Sequence, residues 1–166
     1  MSAQGRIGLG GGCHWCTEGV FVSLAGVTHV DQGWISAPAP DDAFSEAVIV
    51  HFDPERVSLA ELLAVHLQTH AATSDHSLRG RYRSAVYAFN DRQAERCRTA
   101  LSVLAADYDQ PLVTRVLRYA GFRASAPAYR DYFRRDPDRP FCRRYIAPKV
   151  KRLRADRPDL FFSNKQ

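Results

Sequence analysis

Ile7-Gly8-Leu9-Gly10-Gly11-Gly12-Cys13-His14-Trp15-Cys16-Thr17-Glu18-Gly19-Val20-Phe21 sets the architecture of the chain. Ile7 to Gly10 reads as a short buried strand, and the glycine run lets the backbone turn sharply out of it. From Cys13 the pattern turns helical: Val20, Phe21 and Leu24 share one face, and Gly26 suits a C-terminal stop. Cys13 thus falls at the head of a helix, where unpaired N–H groups and the positive end of the helix dipole stabilise a thiolate. Such a position lowers a cysteine pKa from about 8.5 to as low as ~3.5–7.5, and the thiolate is the nucleophile. The competing reading is a structural cysteine behind a glycine-rich turn. Trp15 beside it offers an aromatic wall for an apolar group, or a core side chain.

The rest of the chain continues the alternation. Residues 27–36 and 44–52 read as strands that pair directly, separated by Pro38-Ala39-Pro40 and Asp41-Asp42. Ser58 and Glu61 form a capping box for a helix carrying Leu59, Leu62, Leu63, Val65, His66 and Leu67. Residues 71–81 form a polar loop, 83–89 a strand, and Asn90 caps a helix to about Tyr108. The last strand runs over 112–119, a short helix over 129–135, and a turn over 136–140. This pattern predicts an α+β fold: a two-layer sandwich with a mixed, mainly antiparallel sheet, flanking helices, a ferredoxin-like core and a long C-terminal coil. One domain over 1–166 is expected, with a basic tail from about 147 for which both a helix and a mobile segment stay open.

Hydrophobic residues make up 45% and charged residues 25%, which argues against global disorder. There is no apolar run of membrane-spanning length and no basic-then-apolar leader at Met1 to Arg6, so a cytoplasmic, monomeric protein is expected. The net charge of +5 is modest. Its late basic cluster, from Arg134 to Arg157, reads as a solvated surface rather than a nucleic-acid site, because no aromatic platform or recognition motif accompanies it. Four cysteines are too few for a disulfide scaffold. Cys13-x-x-Cys16 permits redox chemistry, whereas no second Cys/His pair stands at zinc spacing; the reading calls for no metal and no cofactor.

Gly12-Cys13-His14-Trp15-Cys16-Thr17-Glu18 resembles the Gly-Cys-Phe-Trp-Gly-x-Glu signature of the A-type peptide methionine sulfoxide reductases. Phe44-Ser45-Glu46-Ala47-Val48 and the following residues to Asp53-Pro54 resemble the family's His-Ala-Glu-Val-Val strand. Tyr82-Arg83-Ser84-Ala85-Val86-Tyr87 resembles its Gln-Tyr-Arg-Ser-Ala-Ile-Tyr segment, and Pro140-Phe141-Cys142 lies where many members carry a late cysteine. The matches run in family order from about residue 7 to 150.

The resemblance implies reduction of methionine S-sulfoxide, free or in proteins, as repair of oxidative damage. Cys13 would attack the sulfoxide sulfur, and Glu46 would protonate the departing oxygen, a task suited to a carboxyl in an apolar pocket. Tyr82 would donate a hydrogen bond to that oxygen, and Trp15 would grip the substrate methyl group. Trp34 stands where the family usually has a second tyrosine. His14 replaces a phenylalanine and is expected either to reshape the methyl pocket, to supply a cation lowering the Cys13 pKa, or simply to pack. Cys142, or alternatively Cys16, would resolve the Cys13 sulfenic acid, and thioredoxin or a similar dithiol would reduce the disulfide. Cys97 reads as a packed helix residue. The loop before Tyr82 is shortened, and Arg79-Gly80-Arg81 replaces the family's Gly-Thr-Gln approach.

Two rivals remain at the level of sequence. A thioredoxin-like dithiol–disulfide oxidoreductase would use Cys13 and Cys16, and a catalytically idle binding module would use the basic tail.

Overall fold

A computed structural model describes residues 4–161. Its order is β1 (Gly5–Gly10), α1 (His14–Val22), β2 (Val27–Ser36), β3 (Ser45–Phe52), α2 (Leu59–Thr69), β4 (Ala85–Ala88), α3 (Asp91–Leu104), β5 (Arg115–Arg118), β6 (Gly121–Ala124), α4 (Tyr132–Arg135) and α5 (Ala147–Asp156). The mixed α+β class is as expected. The predicted capping box forms: Glu61 N–H donates to Ser58 Oγ and Ser58 N–H to Glu61 Oε1, both at 3.0 Å. Asn90 likewise caps α3 by accepting from Gln93 N–H.

The six strands stand in the order β5-β4-β1-β3-β2-β6, every neighbouring pair antiparallel except β4 with β5. β5 and β6 lie at opposite edges, yet only Tyr119 and Ala120 separate them. Three Cα steps reach at most about 11 Å, so the sheet curls until its edges approach. The link is hydrogen-bonded to both sides, Tyr119 N–H to the Ala88 carbonyl at 2.8 Å and Ala120 N–H to the Ser36 carbonyl at 2.9 Å. The expected mixed, mainly antiparallel sheet is thus present in a curled form. The β6 strand itself lies beyond the last strand expected from sequence, because its pattern, Gly-Phe-Arg-Ala, has too few residues to show a period.

Curling divides the core. The main cluster joins Ile7, Leu9, Val48, Val50 and Val86 from the sheet to Val20 and Phe21 of α1, Leu62 and Leu63 of α2, and Val150 and Leu153 of α5. A smaller cluster of Ile35, Ala47, Ile49, Ala85 and Tyr87 is buried on the other face, with no helix residue in it. Phe89, Leu117, Tyr119 and Phe122 pack against it.

Part of the basic segment expected as a C-terminal coil is ordered as a helix. Ala147–Asp156 is helical, and Val150 and Leu153 are buried against the main core. Pro148 sits in the first turn, where its missing N–H costs nothing. Basic residues hid the apolar pair at i and i+3. The expected tail beyond 161 lies outside the described residues. Among the described residues, no helix is long and apolar enough to cross a membrane.

Candidate active site

β1 delivers the chain to the glycine turn, and Cys13 is the N-cap of α1 with extended backbone (φ −60°, ψ 127°). Its carbonyl accepts from Cys16 N–H at 3.1 Å and Thr17 N–H at 3.2 Å, while its side chain makes no cap bond, leaving the sulfur free for other contacts. The turn is fixed from beneath. A Cβ on Gly11 would sit 2.4 Å from the His70 ring, so only glycine lets the loop approach that side chain. His66 Nε2 bonds the Gly10 carbonyl at 2.8 Å, and the Arg79 guanidinium donates to the carbonyls of Gly11 (3.0 Å), Ala71 (2.6 Å), Ser74 (2.9 Å) and Tyr82 (2.9 Å). Arg79 therefore ties the 71–82 loop to the cysteine turn. Sequence reading registered it only as a departure from pattern.

The Cys13 thiol is pulled down to about 7. A hydrogen bond from the Cys16 thiol lowers it most; burial opposes this, and the Trp15 and Cys16 N–H groups of the helix start add to the lowering. Cys16 is pushed far above the ordinary thiol range by that same hydrogen bond and by burial. Cys16 thus acts as donor and Cys13 as the anion. Cys142 is fully buried, begins a π-helical turn (Cys142–Ile146) and lies close enough to raise Cys16 further. Cys97 is buried in α3 and raised to about 11 by burial, consistent with packing.

Glu46 comes from β3, directly across from Trp34 of β2. Its environment is not the apolar pocket expected. His14 N–H donates to Oε1 at 3.1 Å, and Arg81 Nε donates to Oε2 at 3.0 Å. His14 is buried, with Nδ1 2.6 Å from the Gly33 carbonyl and its ring edge-on to Trp34 at 5.0 Å. Burial lowers its pKa, so the ring is neutral near pH 7. A neutral ring supplies no cation beside Cys13, and His14 packs between the Gly33 carbonyl and Trp34. Gly33 is required for this arrangement, since a Cβ there would lie 2.0 Å from the Arg123 carbonyl of β6. Tyr82 is half-buried, and its phenol is raised first by burial and then by the Glu46 and Cys13 charges. It stays protonated and able to donate.

Cys13, His14, Trp34, Glu46 and Tyr82 thus converge. Trp15 points to a different neighbourhood, stacking on Tyr132 at 4.4 Å and Tyr129 at 5.4 Å, with Phe141 edge-on at 5.3 Å. Its partners come from the C-terminal segment that carries Cys142. Glu18, quoted in the motif but given no role from sequence, holds that segment. Its carboxylate accepts from Gln32 Nε2 (2.7 Å), Asp131 N–H (2.7 Å) and Tyr132 N–H (3.2 Å). The anchoring is needed because Asp131 adopts a left-handed backbone (φ 54°). A cleft of about 360 Å³ is lined by Glu18, Val27, Asp31, Gln32 and Arg134 but by none of the convergent residues. Among the described residues, no three His, Cys, Asp or Glu side chains converge as a metal site.

A family model described as peptide methionine sulfoxide reductase matches residues 5–159. The chain belongs to that family. The reductase is 31% identical over 159 residues to peptide methionine sulfoxide reductase MsrA 1 of Rhodopirellula baltica, covering 87% of this chain and 83% of the relative. It is 32% identical over 160 residues to the MsrA of Thermus thermophilus, covering 88% and 91%. Its fold is similar to Mxr1 from Saccharomyces cerevisiae in reduced form, with a TM-score of 0.73, 18% identity and coverage of 84% and 89%. Mxr1 has also been solved in complex with Trx2, and that structure is similar with a TM-score of 0.62 and 18% identity, covering 74% and 81%.

Proposed function

We propose that the protein reduces methionine S-sulfoxide to methionine, with Cys13 as nucleophile. Family membership supports the reaction class. The observation that carries the mechanism is a thiolate at the head of α1, lowered by the Cys16 thiol, beside the carboxyl of Glu46 and the phenol of Tyr82. The Cys13 thiolate attacks the sulfoxide sulfur, and the S–O electrons move onto oxygen. Glu46 gives that oxygen a proton while Tyr82 donates a hydrogen bond to its growing charge. Collapse moves the hydroxyl to Cys13: thiolate, sulfoxide and proton become sulfenic acid and methionine.

The Cys16 thiol then condenses with the sulfenic acid, forming a Cys13–Cys16 disulfide and releasing water. Cys16 is the neighbour that lowers Cys13 most, which supports it as first resolver, ahead of the Cys142 position implied by resemblance. Cys142 attacks the Cys16 sulfur next, giving a Cys16–Cys142 disulfide and freeing the Cys13 thiolate. Cys142 is fully buried, so its π-helical turn must open before a dithiol partner can reach it. Mxr1's complex with Trx2 supports a thioredoxin as that partner. The relay consumes two electrons from the dithiol per sulfoxide.

Trp15 keeps the substrate-side role implied by resemblance as one wall of the aromatic group it forms with Tyr129, Tyr132 and Phe141. Trp34 and His14 line the opposite side. The βαββαβ succession with strand order β4-β1-β3-β2 supports a ferredoxin-like core, and we read the chain as one cytoplasmic, monomeric domain. The sulfoxide reductase reading accounts for Glu46 and Tyr82 at the cysteine, which the dithiol-oxidoreductase rival leaves without a task; docking of α5 through Val150 and Leu153 weighs against a free basic arm.

Glu46→Gln tests the acid assignment. Its sulfenate-forming step, followed in a single turnover, should slow about 100-fold or more at pH 7, with Cys13 alkylation retained. A parental rate across pH 6 to 9 would remove Glu46 from the mechanism.

A further inference from the structure

Both oxygens of Glu46 are engaged. Oε1 receives the His14 N–H, and Oε2 receives Arg81 Nε at 3.0 Å. The two ends of that ion pair differ sharply in surroundings: the Glu46 side chain is 6% exposed and the Arg81 side chain 69%. The backbone of residue 81 is fixed, its carbonyl accepting from Glu46 N–H at 3.0 Å and from Ser45 Oγ at 2.9 Å. Only the side chain is free to swing. Its guanidinium lies over the Tyr82 ring at 5.1 Å, and its two terminal nitrogens make no hydrogen bond to any described residue. An unfilled pair of donors therefore stands at the mouth of the site, beside both proposed oxygen-handling groups.

We propose that Arg81 is the specificity-determining residue of this site, selecting methionine sulfoxide that carries a carboxylate close to the sulfoxide. The inference rests on the reductase reading above. A guanidinium presents a planar fork that matches a carboxylate through two parallel bonds, whereas it touches Glu46 through Nε alone. An ion pair whose one end is this exposed is weak enough for a second carboxylate to compete. That competition also serves chemistry. While Arg81 Nε occupies Oε2, a proton on that oxygen would face another donor. Drawing the guanidinium towards substrate frees Oε2 to take a proton from solvent and pass it to the sulfoxide oxygen. The selected carboxylate can be the α-carboxylate of the free amino acid or an acidic side chain next to methionine sulfoxide in a peptide; both present the same group.

The test compares kcat and KM of the full-length protein, with a dithiol reductant, on N-acetyl-L-methionine S-sulfoxide and on its N-methylamide, which lacks only the charge. Free L-methionine S-sulfoxide and end-blocked peptides with Asp or Asn beside an internal sulfoxide separate the two sources of carboxylate. The wild-type protein should favour the N-acetyl acid by about 10-fold or more in kcat/KM, with part of the gain in kcat. Arg81→Gln should bring the ratio near one, and Arg81→Lys, which keeps charge but loses the fork, should fall between. Preference for the Asp over the Asn peptide points to side-chain carboxylates, and its absence to the α-carboxylate. Equal kcat/KM for acid and amide in the wild-type protein overturns the proposal, as does a preference left intact in Arg81→Gln. Failure to turn over any sulfoxide would instead overturn the reductase reading on which it rests.

Discussion

Cys16→Ala removes the largest contribution that lowers Cys13, the thiol hydrogen bond, and leaves burial opposed only by the helix N–H groups. From about 7, the Cys13 pKa should return to about 8.5 or above. At pH 7 the thiolate fraction then drops from about one half to about 3%. A more basic thiolate is also a better nucleophile: with a Brønsted slope near 0.45, ~1.5 pH units return about 5-fold in intrinsic reactivity. The two effects combine to an alkylation rate about 3-fold slower than wild type at pH 7 and about 4-fold faster at pH 9.5. The rate profiles must therefore cross. Iodoacetamide labelling from pH 5 to 10, mapped to Cys13 by peptide mass spectrometry, reads this directly, because Cys97 and Cys142 are buried and raised. A midpoint unchanged near 7 in Cys16→Ala would refute the reasoning and return the lowering to the helix terminus alone.

His70 is held neutral, its pKa lowered to about 4 chiefly by burial against the glycine turn. An unfolded histidine titrates near 6.5, so between pH 6.5 and 4 the unfolded chain binds more protons and stability falls with pH, by up to ~3 kcal/mol for this group. Urea unfolding at pH 7 and pH 5 should give a smaller loss in His70→Gln than in wild type; equal losses would contradict the assignment. Glu18→Ala strands three donors that the carboxylate now satisfies, and should cost ~2–4 kcal/mol in urea unfolding. Trp15 fluorescence should change with it, since Tyr132 is held through the same carboxylate, whereas an unaltered spectrum would separate Glu18 from the aromatic cluster.

The strand–glycine–cysteine–helix unit was legible because each step has a local cause: an apolar run, a glycine turn, then a helical period. The capping box at Ser58, the Asn90 cap and the paired β2 and β3 were legible for the same reason. The curl of the sheet was not, because it depends on which edge the Gly121–Ala124 strand joins, and no local pattern encodes a partner 85 or more residues earlier. A helix in the tail was left open rather than read, because basic residues surround Val150 and Leu153. At the site, motif resemblance singled out Cys13, Glu46 and Tyr82, but not the Arg81 and His14 groups that bond Glu46. The contacts of Arg79 and Arg81 arise from how the loop folds over the turn. Glu18 carried the signal of a carboxylate among apolar helix positions, which asks for buried donors.

In the proposed reaction Cys13 takes oxygen from methionine sulfoxide and hands its oxidation to a neighbouring sulfur. One equivalent of methionine S-sulfoxide added to the fully reduced protein, with no external reductant, tests it through quantified methionine and mass mapping of sulfur linkages. The account predicts about one methionine per protein and an early Cys13–Cys16 bond that passes to Cys16–Cys142. Unconverted sulfoxide with all four thiols intact, or methionine released by the Cys13→Ser variant, would contradict it.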